Sequence, residues 1–460
     1  MPGGAVGEET SPRRAVACGG MRTRQPARGG LPPGPRTPAL IQTIQAFTDR
    51  HGTFERHRSR YGDPFTVRML PGPQHLVLFS DPGAIKEIFA GDPVELSGAQ
   101  GNEMLRAAMG DRSVMLNDGD AHRAIRRYLM PAFSPAAVRA YRPVVMRAAT
   151  DEVDTWVPGS SVVTLERMSR VTLAVMMQLV LGASDPDRLA ALRPRVLRLV
   201  EVDPVVVGGW LYPRLRALPP WRGHARNLAA IDELIHAEVR QRRTGHASAT
   251  PDLLDQLLAV GTDPDDDREP LTSQEIRDQV VTLLLAGYET TASTLAWTLH
   301  ELGRDEQARA RARRAAQEGD EEHLEACVKE AMRLHPIIDY VARTLRSDQR
   351  IGGVDLPAGA TAAPAILLAH HDPDAFPEPD RFRPERFLGE GPAAHTYLPF
   401  GGGVRRCIGA PFALMEGVVV LREVLTRVDV VADAPAPTRL RNITNVPGDG
   451  APLRVRPLPG

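Results

Sequence analysis

One of the three cysteines in this 460-residue chain lies in a segment that could hold a reactive thiolate. The segment runs from Phe400 to Gly409, and its glycines stand on both sides of Cys407. Glycine permits the unusual dihedral angles of a tight turn, in which successive backbone N–H groups point at one anion. Such donors stabilise a thiolate, the form of cysteine that binds a metal. Cys407 is therefore predicted to be a metal ligand, whereas Cys18 and Cys327 lie in no comparable pattern.

A second candidate segment, Ala-Gly-Tyr-Glu-Thr-Thr, begins at Ala286 within a long apolar stretch. A capping box that starts at Thr272 predicts an α-helix from there to about Leu302. Glycine inside a helix costs about 1 kcal/mol, so Gly287 beside an acid and two hydroxyls predicts a local opening of the helix. The alternative is that a threonine hydroxyl here bonds to the carbonyl four residues earlier and has no chemical role.

Charged side chains recur at helical spacing in two other places. His122 and Arg126 are four residues apart, and Glu330 and Arg333 are three apart, so each pair shares one face of a predicted helix. Each pair alone is typical of a solvated helix surface. Whether either pair has a functional role therefore depends on the other motifs in the chain.

Together, these segments resemble the signature of the cytochrome P-450 family, the haem-thiolate monooxygenases. The cysteine segment fits F-x-x-G-x-x-x-C-x-G at every defined position. The segment that begins at Ala286 is similar to [AG]-G-x-[DE]-T-[ST], and Glu330-x-x-Arg333 is followed by Arg386 in Pro-Glu-Arg-Phe, as in the family. The resemblance spans the chain from about Leu31 to Pro459, in the expected order.

The resemblance implies a role for each of these residues. Cys407 would be the axial ligand of the iron of haem b, and Thr290 and Glu289 would act in oxygen activation and proton delivery. Glu330, Arg333 and Arg386 would form a structural cluster behind the cysteine segment. Further residues would contact the haem, with the first four holding its propionates: His122, Arg126, Arg343, Arg405, Phe400, Gly403, Gly409, Ala286 and Gly287.

The implied activity is insertion of one oxygen atom from dioxygen into a small, apolar organic substrate. The chain has no dinucleotide-binding glycine motif and no second cysteine set for an iron–sulfur cluster. Electrons are therefore expected from a ferredoxin and its NAD(P)H-dependent ferredoxin reductase. A basic patch for that partner is expected at Arg126, Arg127, Arg405 and Arg406. Two alternatives stay open: a peroxide-driven or non-oxygenating haem-thiolate enzyme, and a non-catalytic haem-binding protein.

The rest of the chain must position these segments. Strand-like runs at Phe65–Met69 and His75–Phe79 predict a hairpin, and helical spacing dominates from His122 to Leu302. A second small β region is expected after Arg343, a last helix from Pro411 to Arg427, and strands at the end. The predicted fold is mainly α with small β regions (α+β), with haem buried between a long central helix and the cysteine segment.

Substrate contacts are expected from mostly apolar segments, which leave lipids, steroids, terpenoids and polyketides equally open. The apolar, Gly- and Pro-rich segment Pro204–Trp221 is expected to be either a mobile lid or an irregular surface loop. The other candidates are Leu285 and Ala286, Ile337 and Ile338, residues 96–109, and Ile443 and Thr444.

Composition limits location and partners. The formal net charge is -1, which calls for neither nucleic acid nor an anionic membrane as an obligate partner. No apolar run approaches the roughly 20 residues needed to span a bilayer, and a sparse, odd cysteine count indicates a reducing compartment, so a cytoplasmic protein is expected. Residues 1–30 are predicted to be a disordered extension, with Met1 or Met21 as the start. Residues 31–460 are predicted to form one catalytic domain.

Overall fold

The computed structural model describes residues 30–70, 72, 75–182, 185–200, 214, 218–219, 221–245, 252–262, 268–441 and 443–458. Two predictions fall almost entirely outside these residues: the extension at residues 1–30, with its start at Met1 or Met21, and the lid or surface loop at Pro204–Trp221.

Helices make up most of the described chain. Their bounds are α1 Ala39–Thr48, α2 Arg50–Tyr61, α3 Pro82–Ala90, α4 Gly98–Gly101, α5 Arg106–Met109, α6 Gly119–Leu129, α7 Pro135–Val153, α8 Thr164–Leu181, α9 Pro186–Val200, α10 Trp221–Arg243, α11 Leu253–Ala259, α12 Ser273–Arg304, α13 Glu306–Glu318, α14 Glu321–Leu334, α15 Ile366–His370 and α16 Ala410–Arg427. No helix within the described ranges is long and apolar enough to cross a membrane.

Strands are short and form small sheets. Their bounds are β1 Phe65–Val67, β2 Leu76–Phe79, β3 Leu96–Ser97, β4 Ser161–Val163, β5 Arg343–Leu345, β6 Gln349–Ile351, β7 Val354–Leu356, β8 Thr361–Pro364, β9 Asp429–Val431, β10 Thr438–Arg441, β11 Thr444–Pro447 and β12 Pro452–Arg456. The largest sheet has the order β1-β2-β8-β5-β3. The predicted hairpin is confirmed, because Phe65 pairs with Leu78 in an antiparallel register.

Helix α12 is the central element of the fold. It begins as the sequence predicts, since the Thr272 hydroxyl accepts the Glu275 N–H at 3.2 Å and the Glu275 carboxylate accepts the Thr272 N–H at 3.0 Å. Its most extensive neighbour is α8, and together with α7, α14 and α16 the two helices form the main hydrophobic core. This packing buries α12 on nearly every side, which explains its almost continuous apolar composition.

Two segments outside the main core have internal boundaries. The helical stretch near the N-terminus is divided into α1 and α2, because the Asp49 side chain accepts the Gly52 N–H at 3.0 Å and starts a new helix there. The segment from His370 to Phe387 is loop for most of its length. However, His370 ends α15 and Pro384–Phe387 forms a single 3-10 turn.

Candidate functional site

The cysteine loop, residues 400–409, is a tight turn against the side of α3. Its ends are joined where the Cys407 N–H donates to the Phe400 carbonyl at 2.9 Å. Gly403 has φ +65°, and a Cβ there would lie 2.2 Å from the Phe89 carbonyl oxygen. Glycine is required at this position by its backbone conformation and by the close approach of α3.

The thiol of Cys407 faces an enclosed space. The residue retains accessible surface, yet burial raises the pKa of its thiol, so this surface lies in a cleft and not on the outside. The Gly409 and Ala410 N–H groups donate toward the sulfur, and with Arg126 and Arg406 they lower that pKa in opposition to burial. These donors and the two arginines therefore partly offset the effect of burial on this thiol.

Away from its two ends, α12 has accessible surface in one short segment. Between Ile276 and Gly303 every residue is buried except Leu285, Ala286, Gly287 and Thr290. Leu285, Phe400 and Ile408 pack partly buried against the same core. The cysteine loop and the accessible part of α12 therefore adjoin the same core, and we infer that they border one cleft.

The predicted local opening of this helix is not present. Helix α12 continues without interruption through the segment, and the Thr290 hydroxyl donates to the Ala286 carbonyl at 2.6 Å, the bond that the alternative interpretation expected. Gly287 has a packing role instead, because a Cβ there would lie 2.6 Å from the Met176 sulfur of α8. The glycine lets α8 approach closely, which explains its presence without any break in the helix.

Glu289 points away from Thr290, toward the strand pair β10–β11. Its side chain is buried, and one carboxylate oxygen accepts the Arg441 Nε–H at 2.7 Å and the Thr444 hydroxyl at 3.1 Å. Burial raises the pKa of Glu289, while Arg441 and Thr444 lower it. Arg441 is a site residue that no local sequence pattern predicts, since its partner is 152 residues away along the chain.

Four basic side chains from α6, β5 and the cysteine loop form a largely buried cationic cluster: His122, Arg126, Arg343 and Arg405. Burial, followed by Arg405 and Arg126, lowers the pKa of His122 to about 4. Burial, followed by Arg405, lowers the pKa of Arg343 to about 10. These predicted residues are therefore brought together, in an environment that disfavours their positive charge.

The cluster carries more positive charge than the protein neutralises. Asp118 accepts from Arg405 at 2.5 Å and also pairs with Arg346 at 3.1 Å. The buried Arg405 Nε has no hydrogen-bond partner within the described chain, and the Arg343 guanidinium donates to the carbonyl of Ala342 at 2.9 Å. Buried arginines in this state favour an anionic ligand. Asp118 is a site residue to which sequence reasoning assigned no role.

The predicted Glu330 cluster is confirmed. The fully buried side chains of Glu330 and Arg333 form two hydrogen bonds of 2.7 and 2.9 Å, and Arg386 donates to Glu330 at 3.2 Å. Arg333 also donates to the His370 carbonyl at 2.9 Å, while the His370 ring accepts the Leu398 N–H at 2.7 Å. The cluster thus supports the start of the cysteine loop.

These residues fit a haem. The thiol of Cys407 opens to the cleft and offers a ligand for iron, and the under-neutralised arginines offer donors for the two anionic propionates. The cleft is bordered by Ala286, whose small side chain leaves space beside α12.

Comparison with known proteins also indicates a haem-binding protein, of the cytochrome P-450 family. A family model described as cytochrome P-450 matches residues 31–445. A Mycobacterium tuberculosis protein named cytochrome P-450 135A1 is 40% identical over 432 residues, covering 93% of this chain and 96% of that protein. A Mycobacterium bovis protein named cytochrome P-450 135B1 is 39% identical over 440 residues, covering 93% of this chain and 92% of that protein.

Solved structures share the fold. The retinoic acid-bound cyanobacterial CYP120A1 superposes with a TM-score of 0.80 at 24% identity, covering 93% of this chain and 99% of that one. The cytochrome P-450DA haem domain superposes with a TM-score of 0.80 at 25% identity, covering 93% of this chain and 98% of that one. The predicted α+β fold is therefore confirmed.

The chain belongs to the cytochrome P-450 family. Proteins of this family bind haem and are monooxygenases, that is, oxidoreductases that incorporate oxygen from dioxygen.

Proposed function

We propose that this protein is a haem-thiolate monooxygenase that oxygenates an apolar substrate with electrons from a ferredoxin and its reductase. Residues 31–460 act as its single catalytic domain. The observation that carries the proposal is the thiol of Cys407, open to a buried cleft beside an under-neutralised cationic cluster.

Each part of the cleft has a separate task. When bound, haem supplies the site at which dioxygen is reduced and an oxygen atom is transferred to substrate. Cys407 would supply the thiolate that binds its iron, and the Gly409 and Ala410 N–H groups would stabilise negative charge on the sulfur. Thr290 presents a hydroxyl at the cleft, and Glu289 would deliver protons from the side of α12 that faces Arg441 and Thr444. The cationic cluster would bind the propionates.

Arg441 is expected to control how Glu289 delivers protons. The Arg441→Leu substitution removes the charge that lowers the pKa of Glu289, so the acid should be protonated more often and release protons less readily. We expect product formed per NAD(P)H consumed to fall about threefold to tenfold, with KM for substrate little changed. Arg441→Lys keeps the charge and should restore most of the loss. Unchanged coupling in Arg441→Leu would contradict a role for Glu289 in proton delivery.

An apolar wall supports the proposed substrate class. Leu285 of α12 packs against a cluster that contains Met109 and Leu116, with Met104, Met115 and Ile443 partly buried against it. Methionine side chains adapt to varied apolar shapes, so this wall suits a range of hydrocarbon-rich substrates.

Titration of a small-molecule library against the haem Soret band tests this proposal, because substrates that displace iron-bound water shift the band. Apolar compounds should bind, and Leu285→Asn should weaken them about tenfold, the equivalent of about 1.4 kcal/mol of lost apolar contact. Leu285→Met is the matched control and should bind normally. Selective binding of charged compounds would contradict the apolar assignment.

The predicted partner surface needs one correction. Arg405 points inward to Asp118 with its side chain 9% exposed, so it cannot meet a partner. Arg127 and Arg406 are exposed, and Val404 of the cysteine loop is 52% exposed. A smaller basic surface at Arg127 and Arg406 therefore remains for an acidic ferredoxin.

Charge reversal at Arg127 tests this surface without disturbing the thiol, whereas Arg406 also acts on Cys407. Arg127→Glu should slow reduction by ferredoxin about tenfold at low salt, and the difference from the unmodified protein should shrink at high salt. Arg60→Glu, at an exposed position on α2, is the matched control. An unchanged rate with an unchanged salt dependence would count against the surface. Turnover with peroxide alone, with reductants idle, would instead indicate a peroxide-driven enzyme.

A further inference from the structure

Helix α1 presents its large apolar residues to the outside and two of its polar residues to the protein. Gln42 and Thr43 are buried at 2% and 8% exposure. The outer face carries large apolar side chains that are 44–59% exposed: Leu40, Ile41, Ile44 and Phe47. The usual surface helix has the opposite arrangement, with the apolar stripe toward the core.

Hydrogen bonds fix this orientation. The Gln42 amide donates to the Thr37 carbonyl at 2.7 Å and accepts the Arg68 N–H at 2.9 Å. The Thr43 hydroxyl accepts the Leu70 N–H at 2.9 Å. Rotating α1 to bury its apolar side would leave these backbone groups without partners. The outward apolar stripe is therefore a built feature of the fold.

The surroundings extend the stripe and add positive charge. Leu70, whose backbone is bonded to α1, is 47% exposed. Arg36 is exposed just before the helix, and Arg68 donates to the Thr37 carbonyl at the same end. Residues 30–70 contain six Arg and three acidic residues, whereas the whole chain has a net charge of -1.

We propose that α1 and Leu70 form a docking surface for an anionic lipid bilayer. Helix α1 lies parallel to the bilayer, its apolar stripe enters the boundary between headgroups and acyl chains, and nearby arginines contact lipid phosphates. An apolar helix face beside basic residues is the combination that binds anionic membranes peripherally. Such docking would bring the enzyme close to apolar substrates that partition into lipid.

Two other occupants fit the surface less well. Residues 1–29 contain no Leu, Ile, Phe, Tyr or Trp, so they lack the side chains to cover the stripe. A second copy of the chain would need about 800 Å² from each partner for a stable contact, more than five partly exposed side chains provide. The excess of arginine at this end would also repel an identical surface.

Vesicle flotation of the full-length haem-loaded protein tests the proposal. Vesicles of phosphatidylglycerol and phosphatidylcholine should carry the protein, and pure phosphatidylcholine vesicles should carry at least about fivefold less. The Ile44→Ser/Phe47→Ser double variant should partition at least about tenfold less into the anionic vesicles. Both positions are exposed, and an unchanged Soret band and melting temperature would verify that the variant is folded.

The matched control is the Met146→Ser/Val157→Ser double variant, which removes two exposed apolar side chains elsewhere at 47% and 63% exposure. It should bind vesicles like the unmodified protein. The proposal is overturned if the unmodified protein fails to float with anionic vesicles, or if the two double variants float equally. It is also overturned if light scattering shows a dimer that only Ile44→Ser/Phe47→Ser dissociates.

Discussion

Replacing Cys407 with serine is expected to reduce NAD(P)H-driven product formation by at least about a thousandfold, the equivalent of about 4 kcal/mol of activation free energy. A serine hydroxyl stays protonated where the cysteine can be an anion, so it cannot donate electron density to iron as a thiolate does. The Gly409 and Ala410 N–H groups would then point at a neutral oxygen. Product formation per bound haem should be measured, so that lost haem is not mistaken for lost chemistry.

Cys327 provides the matched control. It is the other cysteine in the described residues, is fully buried, and burial raises the pKa of its thiol far above the usual range. Cys327→Ala should retain full activity per bound haem and lose about 1 kcal/mol of stability through the small cavity. Activity that survives Cys407→Ser and disappears in Cys327→Ala would reverse the assignment.

The second large effect concerns stability. Glu330→Ala should lower the free energy of unfolding by about 3–5 kcal/mol, because it leaves the buried Arg333 charge without its partner. Arg333 is 0% exposed, so water cannot replace the lost carboxylate. Denaturant unfolding of the purified protein would measure the change, and haem loss should accompany unfolding, since the cluster supports the cysteine loop.

Replacing both members of the pair distinguishes the effect of an unpaired buried charge from the effect of lost side-chain packing. The Glu330→Leu/Arg333→Met double variant removes both buried charges and should be less destabilised than Glu330→Ala. The exposed pair between Arg350 and Asp355 is the surface control, and Arg350→Ala should cause little measurable change. A Glu330→Ala protein that unfolds like the unmodified one would refute a structural role for the cluster.

Local sequence patterns predicted much of the fold and the cysteine loop. The capping box at Thr272, the hairpin around Phe65 and the helix after Cys407 are all confirmed, because each depends on residues close together in sequence. The Glu330 cluster is also confirmed, although Arg386 joins it from 56 residues away. In that case the resemblance to a known family supplied the long-range pairing.

Contacts between distant segments explain what the sequence did not predict. Glu289 pairs with Arg441, and Arg405 turns inward to Asp118, which neither helical spacing nor composition indicates. Gly287 was expected to open α12, but it makes room for Met176 of α8. A glycine that relieves strain and a glycine that admits a neighbouring helix look the same in sequence.

The central claim is that the Cys407 thiolate binds the haem iron. Its most direct test is the absorption spectrum of the reduced protein with carbon monoxide, recorded for the unmodified chain and for Cys407→Ser. The account predicts the red-shifted Soret band characteristic of thiolate ligation in the unmodified protein and its absence in the variant. The same red-shifted band in Cys407→Ser, or a reduced–CO band without that shift in the unmodified protein, would contradict it.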